Sequence, residues 1–158
     1  MVRWLTPAED RAWRGYRRMR TLLDLRLARD LAADSGLSEA DYDVLSTLSE
    51  APGDRWRASE LAARLLWSSS RLAHHVGRME RRGLVARAAV DSDGRGAEVV
   101  LTARGRQLVE EAAPRHLESV RRRLVDLLTP AEVDTLASIA AKVVRNLEAD
   151  SPPADRPA

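Results

Sequence analysis

The sequence predicts a mainly α (α+β) fold on three observations. Apolar residues recur at three- and four-residue steps through long segments near both ends of the chain, the spacing of amphipathic helices. Between them a short helical segment, Ser59 to Leu66, leads through the turn Leu66-Trp67-Ser68 into a second helical segment that runs to about Arg82. Two β-prone runs, Leu84 to Val90 and Glu98 to Leu101, then flank Asp91-Ser92-Asp93-Gly94-Arg95-Gly96, whose two glycines and two aspartates suit a hairpin loop. Short helix, tight turn, second helix and β-hairpin, in that order, make a winged helix-turn-helix. The predicted organisation is an N-terminal dimerisation helix over 5–36, a winged helix-turn-helix domain over 37–101, C-terminal dimerisation helices over 102–149 and a disordered tail over 150–158.

Each element has a local cause. Thr6-Pro7-Ala8-Glu9 opens the first helix: Thr6 caps, Pro7 fits the first helical position and Glu9 closes a capping box. Trp13, Tyr16, Met19, Leu23, Leu27 and Leu31 form its apolar stripe, and Gly36 stops it. Ser38-Glu39-Ala40-Asp41 caps a second helix carrying Tyr42, Leu45 and Leu48, which Pro52-Gly53 ends. In the short helix Leu61, Ala62 and Leu65 face inward, and Ser68 caps the helix that follows. Thr102 caps a long helix to about Leu128 with Leu108, Ala112, Leu117, Val120 and Leu124 on one face; Pro114 either bends it or sits where helical bonding is already loose. Thr129-Pro130-Ala131-Glu132 repeats the opening capping signal. The last helix then sets Val133, Leu136, Ala140, Val143 and Leu147 in an a/d seam.

Composition removes several function classes. The 158 residues carry no Cys, which excludes a disulfide framework, a Cys-based zinc site, a thiol nucleophile and a thiol redox sensor. No apolar run approaches the roughly 18 residues that span a membrane. Residues 1–20 lack the apolar core of a signal peptide, so a cytoplasmic location is expected. The net charge of +2 hides a strong asymmetry. Residues 34–54 hold six acids and no base, whereas residues 55–87 hold eight Arg against Glu60 and Glu80, a balance of +6. Such a block in a nearly neutral protein marks an anion-binding surface.

That block contains the second helix of the helix-turn-helix. Leu72, Val76 and Met79 define its buried side, and at 100° per residue the opposite side carries Ser70, His74, Gly77, Arg78 and Arg81, with Arg71 and Arg82 flanking. Hydroxyl, imidazole and guanidinium groups hydrogen-bond base edges and phosphates. Ser68, Ser69 and Ser70 add a helix N-terminus whose free amides suit phosphate. Ser68, Ser69, Ser70, Arg71, His74 and Arg78 are therefore the expected DNA contacts.

The stretch Ser59-Glu60-Leu61-Ala62-Ala63-Arg64-Leu65, then Ser68 to Arg82, Gly83-Leu84-Val85, Asp91-Ser92-Asp93-Gly94-Arg95 and Leu101-Thr102-Ala103-Arg104-Gly105 resembles the MarR family of bacterial transcription regulators. The aspartate two residues before Arg95, together with the Leu-Thr that opens the next helix, is specific in combination. The resemblance covers roughly residues 5–148. It implies an obligate homodimer built from the terminal helices, double-stranded DNA with a pseudo-palindromic operator as partner, and repression released by a small ligand. It also implies that Arg95 enters the minor groove, where narrow A·T tracts attract guanidinium, with Asp93 orienting it. The sequence departs from the family pattern at Arg57, where a capping Thr is common, leaving Ser59 as the cap. It departs again at His75, often apolar in relatives and here expected to tuck against the scaffold. Without Cys, the peroxide-sensing thiol mechanism of part of the family is excluded.

A small aromatic acid is the expected effector. The chain has no Phe, and Trp13, Tyr16 and Tyr42 lie in its first two helices, with Arg14 and Arg17 able to meet a carboxylate. Trp13, Tyr16, Arg17 and Tyr42 are the expected pocket, in the cleft between dimer helices and winged domain that binds aromatic effectors in relatives; ordinary core packing is the competing account of these rings. His74, His75 and His116 are not expected to hold a metal, because adjacent helical histidines do not converge on one ion. No cofactor is expected. No Ser-His-Asp or His-Cys pairing, phosphate-cradling glycine loop or apolar carboxylate pair points to an enzyme. The alternative function is a dimeric scaffold or adaptor without ligand response.

Overall fold

The structure, a computed structural model, describes residues 1–89 and 96–150. The elements in chain order are α1 (Pro7–Ser35), α2 (Glu39–Ser49), a 3-10 turn (Pro52–Asp54), β1 (Arg55–Arg57), α3 (Ala58–Arg64), α4 (Ser69–Arg81), β2 (Val85–Ala89), β3 (Ala97–Leu101), α5 (Ala103–Arg123), a second 3-10 turn (Val125–Leu127) and α6 (Pro130–Asp150). They form the winged helix-turn-helix that the sequence predicts. The predicted tail beyond residue 150 lies outside the described residues.

The caps act as their sequences dictate. Thr6 and Glu9 close a full capping box on α1, and Ser38 and Asp41 close one on α2. Gly36 takes a left-handed φ of 71° and returns its amide to the Ala32 carbonyl, ending α1. Thr129 caps α6 through the Glu132 amide at 3.3 Å, while Glu132 Oε2 accepts from the Thr129 amide at 2.8 Å. The Thr6 and Thr129 motifs thus solve the same end problem twice.

One core unites the winged domain. Leu37, Val44, Leu45 and Leu48 meet Leu61, Leu72, Val76, Met79, Leu84, Val85 and Val99, all buried. Leu31 and, from α5, Val109 and Ala112 join it. The base of α5 approaches so closely that a Cβ on Gly105 would stand 2.1 Å from the Leu84 carbonyl oxygen. Only glycine lets α5 leave the sheet there.

Four expectations are corrected. A strand, β1, pairs with β3 at Trp56↔Val99, giving a three-stranded antiparallel sheet of order β1-β3-β2 rather than a two-stranded hairpin. Three residues are too few for periodicity to announce, and the pairing partner is more than 40 residues away. Ser59 does not cap α3: the cap position is Arg57, with no side-chain bond, because β1 delivers the chain directly into the helix. α5 ends at Arg123, not near Leu128. Leu124 leaves helical geometry at φ −138° and ψ −64°, and a 3-10 turn carries the chain on toward α6. The inward face of α5 is Gly105, Val109, Ala112 and Ser119, while Leu117 is exposed and Leu108 and Val120 are half-buried. α5 runs through Pro114 as one helix.

Outside the winged domain, apolar groups stand open within one chain. Of the α1 stripe, Leu31 is buried, Leu23 and Leu27 are half-buried, and Trp13, Tyr16 and Met19 are exposed. Along α6, Val133, Leu136, Ile139, Val143, Val144 and Leu147 are all exposed. α1 is pinned to α5 by Asp30, which receives the Arg123 guanidinium at 3.0 Å on both oxygens, Arg122 at 3.2 Å and the Ser119 hydroxyl. The Arg123 hydrogen bonds, followed by that of Ser119, hold the Asp30 carboxyl well below the usual carboxylate range.

Candidate nucleic-acid interface

α3, the turn and α4 form one rigid unit. The Trp67 amide bonds the Ala62 carbonyl at 2.9 Å and the Leu66 amide bonds Ala63 at 3.1 Å. Leu66 takes a φ of 54°, a left-handed conformation costing a branched side chain about 1–2 kcal/mol. The turn reverses the chain sharply enough to lay α4 across α3, and its first residue carries the strain.

The polarity of α4 divides as its sequence requires. Leu72, His75, Val76 and Met79 are buried, whereas Ser69, Ser70, Arg71, His74, Arg78 and Arg81 are exposed. Ser68 caps the helix, its hydroxyl accepting from the Arg71 amide at 3.2 Å and lying 3.3 Å from the Ser70 hydroxyl. The amides of Ser69 and Ser70 therefore face out of the open first turn. No acid lies in that turn. An anion approaching it meets amide dipoles, three hydroxyls and the Arg71 charge together.

The guanidinium groups are not equivalent. Arg71 lies over the Trp67 ring at 4.2 Å, held along the turn. Arg78 Nη2 is 2.7 Å from His75 Nδ1. Arg82, expected to flank the DNA face, points inward and donates to Asp41 Oδ2 at 2.8 Å. Asp41 is only 4% exposed and needs that charge. Burial works to raise its pKa, but the bonds from Arg82 and from the Ser38 amide and hydroxyl outweigh it and hold the carboxyl below its ordinary value. His75 sits between Asp41 and Arg78, with its ring edge-on to Trp67 at 5.5 Å.

The wing is fastened to this helix. The Arg87 side chain of β2 donates to the Ala73 carbonyl at 2.8 Å, and the Arg87 amide donates to Glu80 Oε1 at 3.2 Å. At the sheet's other edge Arg64 stacks on Trp56 at 3.8 Å. The predicted wing-tip residue Arg95, with Asp93, lies outside the described residues.

Of the predicted DNA contacts, Ser68, Ser69, Ser70, Arg71, His74 and Arg78 share one exposed surface of α4 and its cap. The four predicted pocket residues are not brought together within one chain. Trp13 and Tyr16 stack at 6.0 Å between centroids with Arg17 over Trp13 at 5.9 Å. Tyr42 instead packs on His116 of α5 at 4.6 Å. Arg115, beside His116, bonds the Asp34 carbonyl at 3.0 Å. Trp13 lies 21 residues upstream on the same helix, about 30 Å at 1.5 Å per residue.

Sequence reasoning missed Asp41, Trp67 and Arg87 as supports of the interface. Asp41 was legible only as a capping residue, although an acid buried beside an Arg-rich helix is a signal in hindsight. Trp67 and Arg87 carry no local pattern that distinguishes them from other turn and strand residues.

A MarR family model matches residues 35–96, the span from the end of α1 to the residue before β3. The chain is similar over its whole fold to AbsC, a MarR family transcriptional regulator from Streptomyces coelicolor, at 40% identity over 94% of this chain and 100% of that one, with a TM-score of 0.89. Sco3205 from the same organism, a MarR family regulator solved in complex with DNA, is 38% identical over 94% of this chain and 92% of that one, TM-score 0.89. A mutant MarR from E. coli complexed with operator DNA is 25% identical over 82% of this chain and 91% of that one, TM-score 0.73. No curated protein matches the chain. With a relative 40% identical along its full length, and the cap and turn chemistry of the helix-turn-helix in place, the chain belongs to the MarR family of transcriptional regulators.

Proposed function

We propose that the chain is a sequence-specific double-stranded DNA-binding regulator that acts as a homodimer on a pseudo-palindromic operator. The observation that carries this reading is the exposed face of α4, where hydroxyl, imidazole and guanidinium groups converge above an open helix N-terminus. The DNA complexes of Sco3205 and the E. coli MarR support it. The bare apolar seam of α6 supports the dimer: a surface of that kind is covered in solution. A dimer meets two half-sites about one helical turn apart, each recognition helix entering a major groove. Ser69, Ser70 and Arg71 position phosphate, His74 and Arg78 face base edges, and Arg95 enters the minor groove.

Repression released by a small aromatic acid completes the proposal. Trp13, Tyr16 and Arg17 offer stacked rings beside a cation, and Arg14, Arg17, Arg18 and Thr21 border a groove of about 270 Å³. Bound there in the dimer, an effector would favour one separation of the recognition helices. Operator DNA would weaken its binding by the same factor.

Binding to an operator selected from random DNA, followed across salt, tests the first part. If each protomer neutralises three or four phosphates, log K falls with log salt at a slope of roughly −5 to −7. A slope near zero removes the basic face as a DNA surface. Tryptophan fluorescence titrated with salicylate tests the second. Quenching is expected to weaken when operator is present and when Trp13 is replaced by Leu; quenching indifferent to both refutes the pocket.

A further inference from the structure

We infer that His75 is a specificity-determining positioning residue, whose buried ring holds the Arg78 guanidinium in the pose from which it reads an operator base. This rests on the DNA-binding reading above and adds to it a residue that touches no DNA.

An exposed arginine at the middle of a recognition helix has many rotamers, and a base contact must order them at a cost of about 2 kcal/mol. Arg78 is exposed, yet its Nη2 lies 2.7 Å from His75 Nδ1, three residues earlier on the helix. Arginine only donates, so Nδ1 is the acceptor and the neutral ring carries its proton on Nε2. Nε2 faces Asp41 Oδ1 at 3.1 Å. That approach is out of line for a hydrogen bond, so the carboxylate favours the Nε2 proton through its charge. Asp41 is itself held in place by its bonds: Oδ2 accepts from Arg82 at 2.8 Å and from the Ser38 amide at 3.1 Å. The edge of the His75 ring meets Trp67 on a further side. A carboxylate on α2 thus sets the tautomer of a ring on α4, and the ring fixes the guanidinium. Among the described residues one Arg78 nitrogen, Nη2, is engaged, and Nη1 is left to complete a fork toward a guanine.

The position makes the ring hard to explain as filling alone. His75 is 7% exposed and belongs to the same stripe as Leu72, Val76 and Met79. Burying an imidazole there costs desolvation that leucine would not. What the imidazole adds, and leucine cannot, is an acceptor aimed at Arg78.

Two measurements test this. The first needs no DNA and no variant: ring nitrogen chemical shifts of His75 in the full-length protein at pH 8. The expected result is the neutral tautomer protonated at Nε2. A ring protonated at Nδ1, or an unbiased mixture, overturns the contact. The second compares selection from a randomised operator library for wild type, His75→Leu, His75→Asn, Arg78→Ala and the His75→Leu/Arg78→Ala pair. His75→Leu is expected to lower the preference about tenfold at the one or two positions that Arg78→Ala relaxes, and to affect binding to non-operator DNA far less. His75→Asn, whose side-chain oxygen lies near the place of Nδ1, should recover much of that preference. On top of Arg78→Ala, His75→Leu should change nothing more. A wild-type profile in His75→Leu, or losses at positions indifferent to Arg78, overturns the inference. Failure of the wild-type protein to retain any DNA would instead overturn the proposed function, and base readout by Arg78 with it, while the tautomer would still report on the His75–Arg78 contact.

Discussion

The recognition helix α4 and the last helix α6 carry equally regular apolar stripes, but only one is closed within the chain. Leu72, Val76 and Met79 of α4 are buried against the winged core, so the stripe fixes the roll of the helix and commits its other face to solvent. On α6 Leu136, Val143 and Leu147 belong to a stripe of the same spacing and all are exposed. The same pattern therefore means two things. Where the chain supplies the opposing surface, the polar face is the informative one. Where it does not, the apolar face is informative, and it is the face that the proposed homodimer would cover.

Breaking each stripe should separate these meanings. The largest effect is expected from Val143→Asp. A carboxylate in the proposed dimer seam has no partner, and operator affinity should fall by about 100-fold or more. Sedimentation should show the dimer lost; an unchanged mass with unchanged affinity would place the interface elsewhere. Next is Leu72→Ala, which removes a fully enclosed side chain and should cost about 3 kcal/mol in denaturant unfolding. Its cost should be independent of protein concentration, whereas that of Leu136→Ala should grow on dilution.

Smaller effects sharpen the picture of the polar face. Arg78→Ala should relax one or two operator positions by about tenfold, within the 1–3 kcal/mol of a bidentate base contact. Arg95→Ala should weaken binding evenly and blunt A·T preference at the flanks. Identical library profiles for the two variants would refute that division. The smallest expected effect is on the pH dependence of stability. Burial pushes the His75 pKa down, Asp41 opposes it, and Arg78 and Arg82 push it down further, leaving it below its ordinary value of 6.5. Below pH 6.5 the unfolded chain then binds more protons at this site than the folded one, so stability present above that pH declines as pH falls toward the folded pKa. Unfolding of wild type and His75→Leu between pH 7 and 5 should show a shallower slope in the variant; parallel slopes would remove His75 as the cause.

Much of the fold was legible because its signals are local. Thr6, Ser38, Ser68, Thr102 and Thr129 cap as read, since a cap needs only residues three positions apart. The exposed side of α4 followed from a 100° rotation per residue. Three of the misreadings involve distant partners. β1 exists because β3 offers an edge to Arg55–Arg57. Arg82 turned inward because Asp41, far away in sequence, is buried beside it. Tyr42 went to His116 rather than to Trp13 because α1 is one continuous helix, which sets Trp13 many turns away from the end that meets α2.

The sequence by itself determined the elements, their caps, the charge block and the family, because each depends on residue type and short spacing. Tertiary structure decided which of those residues are free to act. A guanidinium at Arg78, Arg82 or Arg87 reads the same on paper, and helical periodicity places the first two near one face. Packing gives the first to a buried ring at the edge of the groove face, the second to a buried carboxylate and the third, from the wing strand, to the Ala73 carbonyl of α4, because each acceptor is met by whichever donor the fold brings within about 3 Å.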